Sequence, residues 1–398
     1  MNSDLCFIEV DSFQAGKHGQ PVSGDAFLSR KVKDTDRIIA VLADGLGSGI
    51  KASVLATLTG SMALKFVAVK TDIRNTATII MDVLPVCSQR KIGYSTFTIL
   101  DIGAAGDTRI IEHDNPPFLA IRGGERLDVP KTAIELPPDE ELAADRNLSF
   151  SQLRCKVGDR LICFSDGVNQ SGMGRGDMPL GWGLEAVEEY ACKLIAADFR
   201  ISARELARKL VRQAVRNDRD APKDDITCAV IYFRRPRRLL VVTGPPFSKR
   251  NDALLAQTLV EFQGRKVICG GTTAKIVGRE LRKEITVDLS DIRSDIPPRS
   301  TMQGVDLITE GTITLARVAE MLEHDIAPEN VAADSAAAQL VELLLDSDIV
   351  EFMVGTRINE AHQDPNVPVE LDIRRNVVKK IRALLEDRHL KETDLELI

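Results

Sequence analysis

Four aspartates, each within its own short motif, are the residues of this chain best suited to chemistry. Asp25 follows Ser-Gly, Asp44 opens Asp-Gly-Leu-Gly-Ser-Gly, Asp166 lies in Phe-Ser-Asp-Gly, and Asp224 opens Asp-Asp-Ile-Thr. The last three lie at the edges of strongly apolar runs typical of buried strands, and strand ends can bring distant carboxylates together. Oxygen ligands without nearby His or Cys favour Mg²⁺ or Mn²⁺ over zinc. Two such ions about 3.5–4 Å apart are a common device for hydrolysing phosphate esters.

The composition is that of a globular protein with room for two domains. The chain has 398 residues, a net charge of −7 and a pI near 5.5, which argues against a nucleic-acid binder because such proteins are normally basic. No apolar run approaches the length of a membrane span and no signal peptide is recognisable, so we expect a cytoplasmic protein without a membrane partner. The seven cysteines are scattered without a Cys-x-x-Cys pair, and we interpret them as reduced core thiols.

Residues 1–234 are rich in strand-like runs separated by turn signals. A long helix is expected from Ser48 towards Lys70 and a second one over Asp72–Gln89, with two more over Leu184–Ala197 and Ser202–Asn217. Strands are expected at Ile38–Leu42, Tyr94–Ile102, Thr108–His113, Phe118–Ile121, Arg126–Val129, Asn147–Cys155, Arg160–Phe164 and Asp225–Phe233. Many strands with segregated helices predict an α+β domain built on antiparallel sheets.

Residues 239–398 instead alternate short apolar strands with helices. This alternation predicts a smaller α/β domain with a mainly parallel sheet. Strands are expected at Leu239–Thr243, Lys266–Cys269, Ile285–Leu289, Val305–Ile308 and Val350–Val354. Helices are expected at Asn251–Phe262, Ala274–Leu281, Thr314–Leu322, Asp334–Leu345 and near Ile373–Glu386, where the last one closes the chain. The basic run Arg234–Arg238 between the two regions is interpreted as a solvated linker, with a patch for phosphate or an acidic partner as the alternative.

Several expected strands of the second region end in small and hydroxyl residues. In an open parallel sheet such ends face one crevice, where helix N-termini can bind a small anionic ligand. The residues favoured for this role are Gly270, Gly271, Thr272, Thr273, Glu310, Gly311 and Thr312, with His362–Pro365 as a polar loop that could add to them. The alternative is that every turn between a strand and a helix needs glycine and an N-cap.

The order and spacing of five motifs across the first region resemble those of a known family. The motifs are Ser23–Asp25, Ala43–Gly49 running into Ala52, Asn115–Leu119, Val157–Arg160 leading into Ser165–Val168, and Lys223–Thr227. Together they are similar to the metal-dependent protein serine/threonine phosphatases of type 2C, in the bacterial branch named after the stage II sporulation protein E. The resemblance covers slightly more than half of the chain, and the second region resembles no family in this way.

The resemblance implies a fold, a metal site and a reaction. The fold would be two stacked antiparallel sheets flanked by helices. Asp44 would bridge two Mn²⁺ or Mg²⁺ ions, the Gly45 carbonyl would bind one of them, Asp166 and Asp224 would complete the other, and Asp25 would reach metal through water. A water held between both ions would attack phosphorus without a protein nucleophile. The substrate would be a phosphorylated regulatory protein, such as an anti-sigma-factor antagonist.

Three features of the first region leave alternatives open. The stretch Leu46–Gly49 lacks the histidine that eukaryotic members carry after Asp-Gly as a general acid, and His18 and His113 are not favoured as substitutes. The Asp44 motif alone would also fit a strand-to-helix turn with Ser48 as N-cap. The glycine-rich run Gly172–Gly176 fits a substrate flap or a flexible loop.

The leading hypothesis is therefore a metal-dependent phosphoserine or phosphothreonine phosphatase, residues 1–234, joined to an α/β regulatory domain, residues 239–398. A pseudophosphatase that signals by binding a ligand or a partner is the second hypothesis. A third makes the second region an enzyme acting on a phosphorylated metabolite, although no acid, base and nucleophile set is visible there. A homodimer formed through the second region is an open alternative to ligand sensing.

Overall fold

The chain folds into two compact units, Met1–Arg235 and Pro236–Ile398. The computed structural model describes residues 6–32, 35–69, 75, 77, 79–81, 95–134, 148–176, 178–287, 300–324, 326, 336–357, 367–389 and 391–398. The second helix expected over Asp72–Gln89 and the loop His362–Pro365 lie largely or wholly outside these residues.

The first unit contains two antiparallel sheets. One has the strand order β1-β11-β10-β6-β7 and the other the order β2-β3-β4-β5-β9-β8. The strands are β1 (Phe7–Ala15), β2 (Asp25–Val32), β3 (Arg37–Gly45), β4 (Ser95–Ile102), β5 (Asp107–His113), β6 (Leu119–Arg122), β7 (Glu125–Arg126), β8 (Lys131–Ile134), β9 (Leu148–Arg154), β10 (Arg160–Phe164) and β11 (Ile226–Arg234). The helices are α1 (Ile50–Ala68), α2 (Asp166–Asn169), α3 (Leu184–Ala197) and α4 (Ala203–Asn217).

The inner faces of the two sheets share one apolar core. Leu42 and Leu100 of one sheet pack in the same cluster as Leu161 and Phe233 of the other. The outer faces are covered by helices: α1 lies over the β3 sheet, and α3 and α4 lie over the β11 sheet. Strands buried on both faces account for the unbroken apolar runs seen in the sequence. The expected sandwich of two antiparallel sheets flanked by helices is confirmed.

Helix α1 is long and apolar enough to span a membrane by length and composition, contrary to the sequence-based expectation. The apolar residues of this helix also serve to pack it within the first unit. Ala52, Ala56 and Ala63 are fully buried in the layer next to β3. A single helix of this kind is weak evidence for a membrane segment. The N-cap of α1 is Gly49 at φ 73°, with no side-chain cap among the described residues, so Ser48 does not have the capping role that the alternative interpretation of the Asp44 motif gave it.

Two other local predictions differ from the structure. The strand expected at Arg126–Val129 is limited to β7, Glu125–Arg126. The basic run Arg234–Arg238 is only partly a solvated linker: Arg234 is a buried residue of β11 paired with Glu9, and Arg238 opens β12 and pairs with Glu351. These arginines therefore have ion-pair partners within their own units.

The second unit is built on one mixed sheet. The strand order is β14-β15-β16-β13-β12-β17-β18, and all pairs from β16 to β18 are parallel. The strands are β12 (Arg238–Thr243), β13 (Arg265–Cys269), β14 (Thr286–Val287), β15 (Ser300–Met302), β16 (Val305–Thr309), β17 (Ile349–Val354) and β18 (Glu392–Leu397). The helices are α5 (Asp252–Glu261), α6 (Gly271–Leu281), α7 (Thr312–Glu323), α8 (Ala336–Leu345) and α9 (Val367–His389). The mainly parallel sheet is confirmed, but strand β18 rather than a helix closes the chain.

Arg160 is a buried charged residue of the first unit whose contribution to stability can be tested. Its guanidinium lies 3.7 Å from the centre of the Tyr232 ring and donates to the carbonyls of Phe199, at 2.7 Å, and Ile201, at 3.3 Å. Arg160→Met keeps most of the packing but removes this donor from the Ile201 carbonyl and leaves the Phe199 carbonyl with the Tyr232 hydroxyl, at 3.1 Å, so we expect the unfolding free energy to fall by about 1–3 kcal/mol. Chemical denaturation measures it.

The matched control for this prediction is Arg154→Met, because that side chain is 71% exposed. We expect the control to change the unfolding free energy by no more than about 0.5 kcal/mol. Equal effects of the two variants would contradict the assigned role of Arg160.

Candidate metal centre

Strand pairing places the first two aspartates side by side. In the antiparallel register of β2 and β3, Asp25 is the direct partner of Asp44. Directly opposed residues on neighbouring strands have Cβ atoms about 4.5–5.5 Å apart. The two carboxylates are therefore held next to each other by backbone hydrogen bonds, at the end of the sheet where β3 runs into α1.

The other sheet supplies the remaining two aspartates. Asp166 begins α2 immediately after β10, and Asp224 lies two residues before β11, which pairs with β10. Ser165 joins the two sheets: its hydroxyl donates to Asp25 Oδ2 at 2.7 Å and accepts from the Thr227 N–H at 3.0 Å. The end of β10 and the start of β2 are thus fixed against each other, and all four aspartates lie at one end of the sandwich.

Two glycines beside the aspartates are required by close backbone contacts. A Cβ on Gly45 would lie 2.1 Å from the carbonyl oxygen of Ala52, in the first turn of α1. A Cβ on Gly167 would lie 2.1 Å from the carbonyl oxygen of Asp225. Each Asp-Gly pair therefore allows a strand or helix end to approach its neighbour more closely than any other residue would permit.

The carboxylates are close enough to raise one another's pKa. Burial raises the pKa of Asp44 to about 9, and the charges of Asp25, Asp166 and Asp224 contribute in the same direction. Burial also raises the pKa of Asp25 to about 6, against the opposing effect of the Ser165 hydroxyl. Burial and the charge of Asp224 raise the pKa of Asp166. Without a cation, the folded protein resists full ionisation of this cluster.

The residues fit a divalent cation with a partly water-filled coordination shell. Asp25 Oδ1 is buried and accepts no hydrogen bond from the described part of the chain, which leaves a carboxylate oxygen available for water or a metal. Within the described residues, no three His, Cys, Asp or Glu side chains form a group that could hold an ion by themselves. Mg²⁺ and Mn²⁺ keep several water ligands and need few from the protein, so such an ion would bind here only with water completing its shell, and metal binding by these residues stays a prediction.

Asp225 has a structural role that the sequence analysis missed. Its carboxylate is buried and accepts from the backbone N–H of Lys17, at 2.9 Å, and of Gly24, at 2.8 Å. It thereby fixes the segment that leads into Asp25. The only sequence signal for this role was that a second aspartate follows Asp224. From the sequence alone, such an aspartate cannot be distinguished from a second metal ligand.

The two histidines and the glycine-rich run of the first unit lie in different surroundings. His18 is exposed, whereas His113 is buried on β5 with its ring 5.2 Å from that of Phe97. The run Gly172–Gly176 is fixed as a series of turns, because the Gly172 N–H donates to Asp218 Oδ1 at 2.8 Å and Lys223 Nζ donates to the Met173 carbonyl at 2.6 Å. Both interpretations of the run, as a substrate flap or as a flexible loop, stay predictions.

The ligand residues predicted in the second unit lie together at neighbouring strand ends. Gly270 and Gly311 are the N-caps of α6 and α7, and a Cβ on Gly311 would lie 3.6 Å from the Gly270 Cα. Neither helix has a side-chain cap. Gly271–Thr273 and Thr312 form the first turns of these helices, and Glu310 lies between β16 and α7. Their role in ligand binding stays a prediction.

Comparison with known proteins identifies the family of the first unit. The sequence model of the stage II sporulation protein E (SpoIIE) family matches residues 34–234, just over half of the chain. The chain belongs to the SpoIIE family. No curated protein matches it.

Three solved structures are similar to this SpoIIE-family chain. The phosphatase domain of Bacillus subtilis SpoIIE with a fragment of its regulatory domain is 20% identical over 58% of this chain and 65% of that one, just under two thirds, with a TM-score of 0.47. A second structure of that phosphatase domain is 18% identical over 58% of this chain and 94% of that one, with a TM-score of 0.43. The RsbU and RsbW domains of a Mycobacterium tuberculosis protein are 15% identical over 64% of this chain and 69% of that one, with a TM-score of 0.44.

The raised pKa of Asp44 predicts how stability depends on pH in EDTA. The folded state keeps this carboxyl protonated up to about pH 9, whereas the unfolded chain ionises it near its ordinary pKa of 3.8. Its contribution to stability is therefore complete below about pH 4 and is lost as the pH rises to about 9. At pH 8 in EDTA, we expect Asp44→Asn of this SpoIIE-family protein to melt at least about 2 °C higher than wild type, a difference that disappears near pH 4.

With Mn²⁺ present, we expect wild type rather than Asp44→Asn to have the higher melting temperature. The cation relieves the repulsion in wild type and raises its melting temperature, but has little effect on Asp44→Asn. Asp128→Asn is the control, because the Asp128 side chain is 96% exposed. A wild-type melting temperature that does not respond to Mn²⁺ at pH 8 would contradict this interpretation of the cluster.

Asp225 predicts a second, separable effect. Asp225→Asn leaves one amide group facing a backbone donor, so we expect the unfolding free energy to fall by about 1–3 kcal/mol. Mn²⁺ should still stabilise the variant, but with a higher dissociation constant, because the segment leading into Asp25 is less well fixed. Asp220→Asn, at an exposed position, is the control. An Asp225→Asn protein as stable as wild type would contradict the structural role.

Proposed function

We propose that residues 1–234 form a divalent-metal-dependent phosphatase that acts on phosphoserine or phosphothreonine in a regulatory protein. The observation that carries the proposal is the convergence of four aspartates from two sheets, one of them with a buried carboxylate oxygen that lacks a partner in the described chain. Membership of the SpoIIE family supports the same reaction class.

The chain's own residues have distinct tasks in this proposal. Asp44 and the Gly45 carbonyl would hold one Mn²⁺ or Mg²⁺, and Asp44, Asp166 and Asp224 a second, with Asp25 acting through water. When bound, such ions supply positive charge to the phosphoryl oxygens and lower the pKa of a coordinated water. Asp25, fixed by the Ser165 hydroxyl at 2.7 Å, would orient that water by accepting a hydrogen bond from it.

Lys17 provides positive charge beside the carboxylates. Its ammonium lies 3.8 Å from Asp224 Oδ1, and both side chains are accessible to solvent. A phosphoryl group entering from solvent would meet this ammonium next to the aspartates. Lys17 can therefore help to bind the phosphate and to neutralise the charge on the leaving oxygen.

Three buried cysteines of the first unit have thiols unsuited to act as a covalent nucleophile. Burial raises the pKa of the Cys155 thiol to about 12, and burial also raises the pKa values of Cys163 and Cys228. Thiols of this kind stay protonated and unreactive near neutral pH. These cysteines are core residues, so they are not arranged to attack phosphorus. The Ser165 hydroxyl is not arranged to do so either, because it donates its hydrogen bond to Asp25.

The physiological substrate belongs to the proposal as well. A small phosphorylated regulator, such as an anti-sigma-factor antagonist, fits the family, and the second unit would adjust the activity in a cytoplasmic partner-switching pathway. A pseudophosphatase that only binds its partner is the alternative. The two are separated by turnover, since all four aspartates are present in either case.

Turnover in the presence and absence of metal tests the proposal. We expect the wild-type protein to hydrolyse p-nitrophenyl phosphate and a phosphoserine protein with Mn²⁺ or Mg²⁺, and to be inactive in EDTA. Asp166→Asn removes a charged ligand and should lower kcat at least about a hundredfold, whereas Asp128→Asn, at an exposed position, should leave it unchanged. A folded wild-type protein that turns over neither substrate with either metal would favour the pseudophosphatase.

A further inference from the structure

The second unit contains a topological switch point. Its parallel strands lie in the order β16-β13-β12-β17-β18, which in chain order is third, second, first, fourth, fifth. Helices α5 and α6 pack on one face of this sheet, and α7, α8 and α9 pack on the other. In open sheets of this kind, ligands bind beyond the carboxyl ends of the two strands where the order reverses. Here those strands are β12 and β17, one strand away from the loops that the sequence favoured.

The backbone at this switch point is closely packed. The Gly355 N–H donates to the Thr243 carbonyl at 2.8 Å, and the Arg357 N–H donates to the Pro245 carbonyl at 3.2 Å. Gly244 has a φ of 80°, and a Cβ there would lie 2.5 Å from Nη1 of Arg374 on α9. The end of β12 is therefore in contact with the residues after β17 and with an arginine from α9.

Two buried polar groups at this place lack partners. Thr243 is fully buried, and its hydroxyl makes no hydrogen bond to any residue that the structure describes. Nη1 of Arg357 is likewise buried without a partner in the described ranges. An unpaired buried hydroxyl and an unpaired guanidinium nitrogen are both costly, so both groups favour an acceptor of hydrogen bonds.

The same face offers further positive potential. Leu239 and Val241 of β12 belong to the core shared with α7, α8 and α9, and strand alternation puts Thr243 on that face as well. Helix α7 begins at Thr312, after β16, and within the described residues no side chain caps its N-terminus, which carries partial positive charge. Phe247, in the loop after β12, and Ile313, in the first turn of α7, are each 74% exposed and can cover an organic group.

From these observations, we propose that the crevice beyond the carboxyl ends of β12 and β17 binds the phosphate group of a small phosphorylated molecule. Arg357 and Arg374 would bind the phosphate oxygens, the Thr243 hydroxyl would donate a hydrogen bond, and Phe247 would contact the organic part of the ligand. Guanidinium groups match phosphate geometry well. The proposal is independent of the metal centre and stands whether or not the first unit is an active phosphatase.

Calorimetric titration of the full chain in EDTA tests this proposal, because EDTA prevents phosphate from binding through metal at the first unit. The probes are inorganic phosphate, pyrophosphate and adenosine monophosphate, with citrate as an anion without phosphate. We expect saturable binding of at least one phosphate probe at one site per chain. Arg357→Gln and Arg374→Gln should each raise its dissociation constant at least about tenfold.

Thr243→Val and Arg317→Gln complete the test. Thr243→Val is nearly isosteric, so it should fold normally and raise the dissociation constant about threefold or more by removing the hydroxyl donor. Arg317→Gln changes an arginine of α7 that pairs with Glu320, and it should bind like wild type. The proposal is wrong if wild type binds none of the phosphate probes, binds only citrate, or binds a phosphate probe that Thr243→Val and both crevice arginine variants bind equally well.

Discussion

The repulsion among four carboxylates at one end of a protein core is the constraint on which the first unit depends. Asp25, Asp44 and Asp166 are largely buried, where charge is poorly screened, and each has a pKa raised by its surroundings. Such a cluster destabilises the fold unless something compensates for it. The architecture of this unit can be understood as a frame that holds the aspartates together at one end of the sandwich, where the proposed cations would neutralise them.

The frame is rigid because both sheets take part in it. One pair of aspartates comes from the register of β2 and β3, and the other follows from the pairing of β10 and β11. Ser165 connects the two sheets through Asp25 and Thr227, while Asp225 fixes the segment before Asp25 through two backbone N–H groups. Without these hydrogen bonds, the aspartates could separate to relieve their repulsion, and the affinity for a cation would fall with them.

The apolar runs were sufficient to predict antiparallel sheets with segregated helices, because β3, β10 and β11 are buried on both faces and their sequences are almost purely apolar. The stacking of two sheets was predicted only through the family resemblance of the motifs. Strands with a solvated side gave a weaker signal. Strand β2 contains Arg30 and Lys31, and the closing strand β18, Glu392–Leu397, alternates acidic with other residues, so neither was predicted. Cap positions and hydrogen-bond roles also could not be read from the sequence. Ser48 and Gly49 are both plausible caps on composition, and Asp224 and Asp225 differ only in what they contact.

In the second unit, the sequence predicted the type of sheet but not the order of its strands. Alternating strands and helices predicted a parallel sheet, but the sequence could not give the order of its strands, since that order depends on which face each helix covers. The predicted ligand residues Gly270–Thr273 and Glu310–Thr312 follow β13 and β16, whereas the order reverses between β12 and β17. That the Thr243 hydroxyl has no hydrogen-bond partner among the described residues became visible only once its neighbours were known.

The most direct measurement for the metal centre is a crystal structure of the full chain soaked in Mn²⁺, with anomalous difference maps. The account predicts two anomalous peaks at the end of the sandwich, in contact with Asp44 and enclosed by Asp166 and Asp224. Peaks elsewhere, or none next to Asp44 at a Mn²⁺ concentration that saturates the protein, would contradict the claim that these aspartates were brought together to hold divalent cations.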